Sequence, residues 1–166
     1  ALSGVDPNRV AVWGTSFSGG HALVTAATVP GVAAAVCQCP MMDGLAAVMN
    51  ILKYAGPGQL VRLTGHGLWD VALAPFGRAH YVPTVGKPGT LAVMTSDDAD
   101  EGYRKLAPPG FRFEVAARIG LTAGLYRPVR YASRVGCPVL VQVCERDSVA
   151  PVASAEQAIR LLGSHG

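Results

Sequence analysis

Charge is scarce in this chain. Only 15% of its 166 residues are Asp, Glu, Lys or Arg, against roughly 25% in an average soluble domain, while half are hydrophobic. The formal net charge is +3, and the basic residues are dispersed except for Arg127, Arg130 and Arg134, which read as a solvated face near the end of a helix. A nucleic-acid partner would need a basic stripe, so that class is set aside. A membrane partner is set aside as well. The least charged window, His21 to Met42, is long enough to span a bilayer, but Pro30-Gly31 interrupts it and Thr and Gln are scattered through it. It reads as a helix followed by a buried strand.

Several binding motifs are lacking too. A phosphate-binding loop needs a lysine after its last glycine, and here Gly19 is followed by Gly20 and His21; the G-x-G-x-x-G pattern of dinucleotide sites does not occur. The four cysteines, Cys37, Cys39, Cys137 and Cys144, sit in or beside apolar runs, and Cys37-x-Cys39 lies within one strand instead of forming a C-x2-C pair. They read as buried free thiols of a reducing cytosol, in preference to a zinc site or a disulfide. A cytoplasmic location is expected.

What the chain does have is an α/β grammar. "RVAVWG" (Arg9 to Gly14) is a short apolar run that predicts a buried strand. Ser18 to Val29 is helix-compatible and is stopped by Pro30-Gly31, and "VAAAVCQCP" predicts a second buried strand. Strand, helix, buried strand suggests a parallel unit. "CPVLVQVCERD" (Cys137 to Asp147) returns to the same pattern, followed by a helix with Pro151 at its start and Gly163 at its end.

Between these segments the character changes. Asp43 can cap a helix with apolar Leu45, Val48, Met49 and Leu52, and "AHYVPTVGKPGTLAVMT" predicts a hairpin around Gly86 to Gly89. Ser96, Asp97 and Asp98 open a charged helix, and Phe113 to Leu125 predicts a more apolar one. The length suits one domain, so residues 1–42 and 135–166 are assigned to its core and 43–134 to a cap-like insertion. The sequence starts with a turn already under way and stops just after a helix. It is therefore expected to be the middle of a longer protein.

The chemistry sits at the turn "GTSFSGG". A serine hydroxyl is a poor nucleophile unless a base takes its proton and N–H groups receive the oxyanion. A sharp strand-to-helix turn holds the hydroxyl above the sheet edge at a helix N-terminus, and such a turn needs small neighbours. Gly14 lies two before Ser16, Ser18 two after, then Gly19 and Gly20. A glycine-rich turn without chemistry is the competing reading.

The stretch "VDPNRVAVWGTSFSGGH" resembles the nucleophile elbow of α/β-hydrolases, especially serine hydrolases of the dienelactone-hydrolase and X-Pro-peptidase-like kind, and "CPVLVQVCERDSVAP" resembles the strand and loop that carry their acid. The resemblance implies a partial α/β-hydrolase fold: parallel strands with flanking helices and a mixed helical and hairpin cap. It makes Ser16 the nucleophile, the Phe17 backbone N–H an oxyanion donor and Asp147 the acid supporting a histidine. It implies no metal or organic cofactor. Ser18 is the alternative nucleophile, because it stands where the family more often has glycine, and Asp43 is the alternative acid. Glu145 reads as a solvated charge.

The family's histidine follows the acid after another helix and strand. His165 comes too early and reads as a tail residue; His21 reads as packing behind the elbow, and His66 and His80 as surface or pocket-lining residues. The second oxyanion donor is expected upstream of Ala1. The implied activity is hydrolysis of an ester, or less readily an amide or peptide, through an acyl-enzyme on Ser16, with the isolated chain inactive. A serine at the elbow disfavours haloalkane dehalogenases, which use aspartate. Trp69, Phe76, Tyr81 and Met94 suggest either a hydrophobic acyl or alcohol group or the core of the cap. A non-catalytic scaffold and an acyltransferase are the alternatives. Missing strands at both edges would favour self-association.

Overall fold

The computed structural model describes residues 4–163. In chain order its elements are β1 (Val10–Thr15), α1 (Phe17–Thr28), β2 (Val32–Gln38), α2 (Gly44–Ala55), α3 (Pro57–Leu73), β3 (Tyr81–Pro83), α4 (Ala99–Leu106), β4 (Glu114–Ala116), α5 (Ile119–Thr122), β5 (Val139–Gln142) and α6 (Val152–Leu162). A 3₁₀ segment, Pro128–Arg134, precedes β5. They form two compact units: the first runs to Gly44 and resumes at Arg127, and the second is Leu45–Tyr126.

In the first unit β1 and β5 both pair with β2 in parallel, giving the order β1-β2-β5. The alternation of a strand decides which side is buried. Val12, Cys37, Val139 and Val141 pack with Leu23 of α1, Val129 and Ala132 of the 3₁₀ segment, and Ala155, Ala158 and Leu162 of α6. The opposite face carries Trp13, 65% exposed, and Leu140, 56% exposed. Among the described residues β1 and β5 each have β2 as their sole ladder partner. All three strands run the same way, so the segments after β1, β2 and β5 leave one edge of the sheet. Those segments hold Ser16, Cys39 with Asp43, and Asp147.

The second unit has its own small core of Leu63, Val82 and Ala117, with Leu91, Val93 and Val115 packed on it. That separate core is why a chain of this length forms two units. An antiparallel pair is present, but it joins β3 to β4 in place of the run after Gly89. Lys87 to Thr90 turns, with the Thr90 N–H donating to the Lys87 carbonyl at 3.1 Å, and the returning run meets the first as a single bridge, Val85 to Met94. Glu114–Ala116 is accordingly a strand where the sequence suggested a helix. The helix opened by Ser96 is α4, with i,i+4 ion pairs Asp100–Arg104 and Glu101–Lys105.

Asp70 is fully buried in this unit and accepts from the His80 and Arg118 backbone N–H groups at 2.7 and 2.9 Å and from the Arg118 guanidinium at 2.7 and 3.0 Å. The Arg118 hydrogen bonds hold its carboxyl well below the usual carboxylate range, against the upward push of burial. Among the described residues no helix is long and apolar enough to cross a membrane.

Candidate active site

Ser16 is the single residue between β1 and α1, with φ 52° and ψ −120°. For a residue with a Cβ this is a sparsely populated conformation, costing on the order of 1–3 kcal/mol. The surroundings enforce it. The Ser16 N–H donates to the Gln38 carbonyl at 2.9 Å, and its carbonyl accepts from the Gly19 and Met41 N–H groups at 3.0 and 2.9 Å. Its hydroxyl makes no capping bond to α1, although serine is a favoured capping residue.

The neighbouring glycines are required by space. A Cβ on Gly14 would collide with the Ser18 carbonyl and come within 2.9 Å of the Gly19 nitrogen. One on Gly19 would meet Pro40 at 2.8 Å, and one on Gly20 would lie 2.6 Å from the Met41 carbonyl and 2.7 Å from Pro128. The turn is thus packed against backbone and the rings of Pro40 and Pro128, and Ser16 is half-buried at the helix N-terminus. Ser18 is used differently: its hydroxyl donates to the Thr15 carbonyl at 2.7 Å and accepts from the Thr15 N–H at 3.0 Å, bracing the turn.

Asp147 follows β5. Its Oδ1 accepts from the Val149 and Ala150 N–H groups at 2.9 and 2.7 Å, and its own N–H donates to the Cys144 carbonyl at 3.2 Å. The carboxylate is thereby held on its loop by short-range bonds. Asp43, after β2, is buried and accepts from Arg127 Nε at 3.0 Å on both oxygens and from its terminal nitrogen at 2.6 Å. This charge-assisted pairing raises Arg127 above its ordinary value. It also corrects the reading of the arginine trio as one solvated face: Arg127 is half-buried and ion-paired, while Arg130 and Arg134 are exposed.

The histidines fall in both units. His21 lies on α1 with its ring edge-on to Phe17, centroids 4.9 Å apart. His66 and His80 belong to the second unit and stack on each other, Nδ1 to Nε2 2.7 Å. His165 lies outside the described residues. Trp69, Phe76 and Tyr81 are exposed and Met94 is half-buried, so the three aromatics are not the core of their unit.

The cysteines divide into two kinds. Cys37 and Cys137 are buried, as expected, but Cys39 is half-buried and Cys144 exposed. Cys39 has φ 40°, and its Sγ lies 2.6 Å from that of Cys144. With an Asp147 oxygen the two sulfurs fall within 4.8 Å of one another. Sequence reasoning missed this cluster. The one available signal was that each cysteine stands just past the end of a strand.

A structure described as the α/β hydrolase GrgF from Penicillium sp. sh18 matches 95% of this chain with TM-score 0.72 at 19% identity. The chain carries the α/β-hydrolase fold. A structure of DcsB in complex with its substrate analogue matches 97% of the chain with TM-score 0.73 at 22% identity. Each match covers just over half of the solved protein, 52% and 54%. In sequence, the chain is 42% identical, over 91% of its length, to quorum-quenching protein AidA of Acinetobacter baumannii (strain MDR-ZJ06). The chain spans about half the length of the curated relatives it matches, 49%. No family model matches it.

Proposed function

We propose that these residues are the nucleophile and acid portion of a serine hydrolase that cleaves a small-molecule ester through an acyl-enzyme on Ser16. The observation that carries this reading is the strained Ser16 backbone at the head of α1, in a turn whose glycines leave no room for a Cβ. Attack by Ser16 Oγ on the ester carbonyl places the oxyanion by the N-terminus of α1, where the Phe17 N–H is the proposed donor. Asp147 is the proposed acid. Asp43 is less suited, because Arg127 already engages both of its oxygens. Ser18 is less suited as nucleophile, because its hydroxyl braces Thr15.

The base is proposed to be a histidine in the part of the protein beyond these 166 residues, which span about half of the curated relatives, so the 166 residues alone are expected to be inactive. Residues 43–134 are proposed to be an insertion in the hydrolase core, and the Leu45–Tyr126 unit within them carries exposed Trp69, Phe76 and Tyr81. The relative named for quorum quenching supports a small signal molecule as substrate. The edges of β1 and β5 that have no ladder partner among the described residues favour self-association of the isolated chain, read by sedimentation.

The test is hydrolysis of p-nitrophenyl esters by the full-length protein. Ser16→Ala is expected to lower kcat by about 10⁶-fold and Asp147→Asn by about 10⁴-fold. Unchanged turnover in a folded Ser16→Ala variant would overturn the reading, as would a larger loss on Asp43→Asn than on Asp147→Asn.

A further inference from the structure

The two cysteines at the sheet edge form a second chemical feature, independent of Ser16. The Cys39 N–H donates to the Gln142 carbonyl at 2.7 Å, and Gln38 is paired with Gln142 in the β2–β5 ladder. Parallel pairing therefore fixes the backbones that carry the two thiols. Their sulfurs are 2.6 Å apart, close to the roughly 2.05 Å of a disulfide bond. Two sulfurs sharing a tetrahedral zinc, each about 2.3 Å from the metal, would stand about 3.8 Å apart. Asp147, whose carboxylate also lies near the sulfurs, has Oδ1 engaged by two backbone N–H groups. The spacing suits bonding between the sulfurs better than a shared metal.

We propose that Cys39 and Cys144 are a reversible oxidation site, closed by a hydroperoxide into a disulfide that ties the end of β2 to the loop carrying Asp147. Cys144 is the exposed member and reacts first. Its thiolate attacks the peroxide, giving a sulfenic acid and releasing an alcohol, or water from hydrogen peroxide. Cys39 then attacks that sulfur, the S–S bond forms and water leaves. The two thiols lose two electrons and two protons, and the peroxide takes up both. The hydrogen bond to Cys144, with some help from burial, pushes the Cys39 thiol up to about 11, consistent with Cys39 as the second sulfur. Cys37 and Cys137 are the internal control, since both are buried in the core behind the sheet.

The experiment is thiol counting and peptide mapping on the reduced full-length protein after mild hydrogen peroxide. Of the four cysteines of this chain, two should be lost together, recovered as one Cys39–Cys144 linked peptide and restored by dithiothreitol. Cys39→Ser should leave Cys144 as a sulfenic acid trapped by dimedone, and Cys144→Ser should leave the other three thiols free. The proposal is overturned if both thiols stay alkylatable after peroxide, if the linked peptide joins another pair, or if the purified protein holds zinc that releases both thiols on chelation. This readout is separate from esterase activity, so it stands or falls whether or not Ser16 is a nucleophile.

Discussion

Around the elbow of the sheet unit, backbone and two proline rings close in: Gly14, Gly19 and Gly20 leave no space, and Ser16 is held at positive φ by bonds to Gln38, Gly19 and Met41. In the Leu45–Tyr126 unit, polar side chains hold the centre. Asp70 collects four hydrogen bonds from His80 and Arg118, and buried Gln59 donates to the Ala92 carbonyl and accepts from Arg62. Several helical glycines there face open space, Gly58, Gly65 and Gly102 among them. The same residue type is thus a steric necessity at the elbow and a removable weakness at those three helical positions, although Gly67 of α3 is packed against Leu121. The contrast locates the strain at the candidate nucleophile, where a rigid geometry would serve chemistry.

The sharpest way to break this contrast is Gly14→Ala, whose new methyl has only backbone to displace. Overpacking of this kind costs about 1–3 kcal/mol and sometimes more, and the expected result is a lowered denaturation midpoint together with loss of Ser16 reactivity. An unchanged midpoint would show that the turn is looser than its packing indicates.

Asp70→Ala should lower the thermal midpoint by several degrees, because it removes four hydrogen bonds and leaves Arg118 unpaired. The Asp70 pair also sets an acid limit. Unfolded Asp70 takes its proton near the ordinary 3.8, whereas the native group does so only at lower pH. Between those points the unfolded state binds more protons, so stability rises with pH. The contribution is complete above 3.8 and is lost as pH falls below it. Midpoints measured from about pH 6 down to about 2 should fall less steeply in Asp70→Asn than in the parent.

Ser18→Ala removes the brace on Thr15 and should cost about 1 kcal/mol while leaving Ser16 reactive, as read by denaturant midpoint and active-site titration. The smallest effect expected is a gain. Gly65→Ala, in the interior of α3 with nothing within 4 Å of the new Cβ, should stabilise by roughly 0.5–1 kcal/mol.

Much of the sheet unit was legible in the sequence, since strand periodicity, the Pro30-Gly31 stop and the glycine knot are all local signals. The elbow was legible for the same reason, although its positive φ and the bracing role of Ser18 needed coordinates. The second unit was harder to read. Phe111, Phe113 and Val115 alternate with Arg112 and Glu114, which is a strand signature for β4, yet the apolar residues that follow also fit a helix. The Asp70–Arg118 and Cys39–Cys144 contacts join residues 48 and 105 positions apart. Neither has a short-range signal, because each depends on which elements become neighbours in space.

The most direct measurement is fluorophosphonate labelling of the folded full-length protein, with the modified peptide mapped by mass spectrometry. A nucleophilic elbow predicts one adduct, on Ser16, lost in Ser16→Ala and kept in Ser18→Ala. A folded protein that takes no label, or takes it on Ser18, would contradict that assignment.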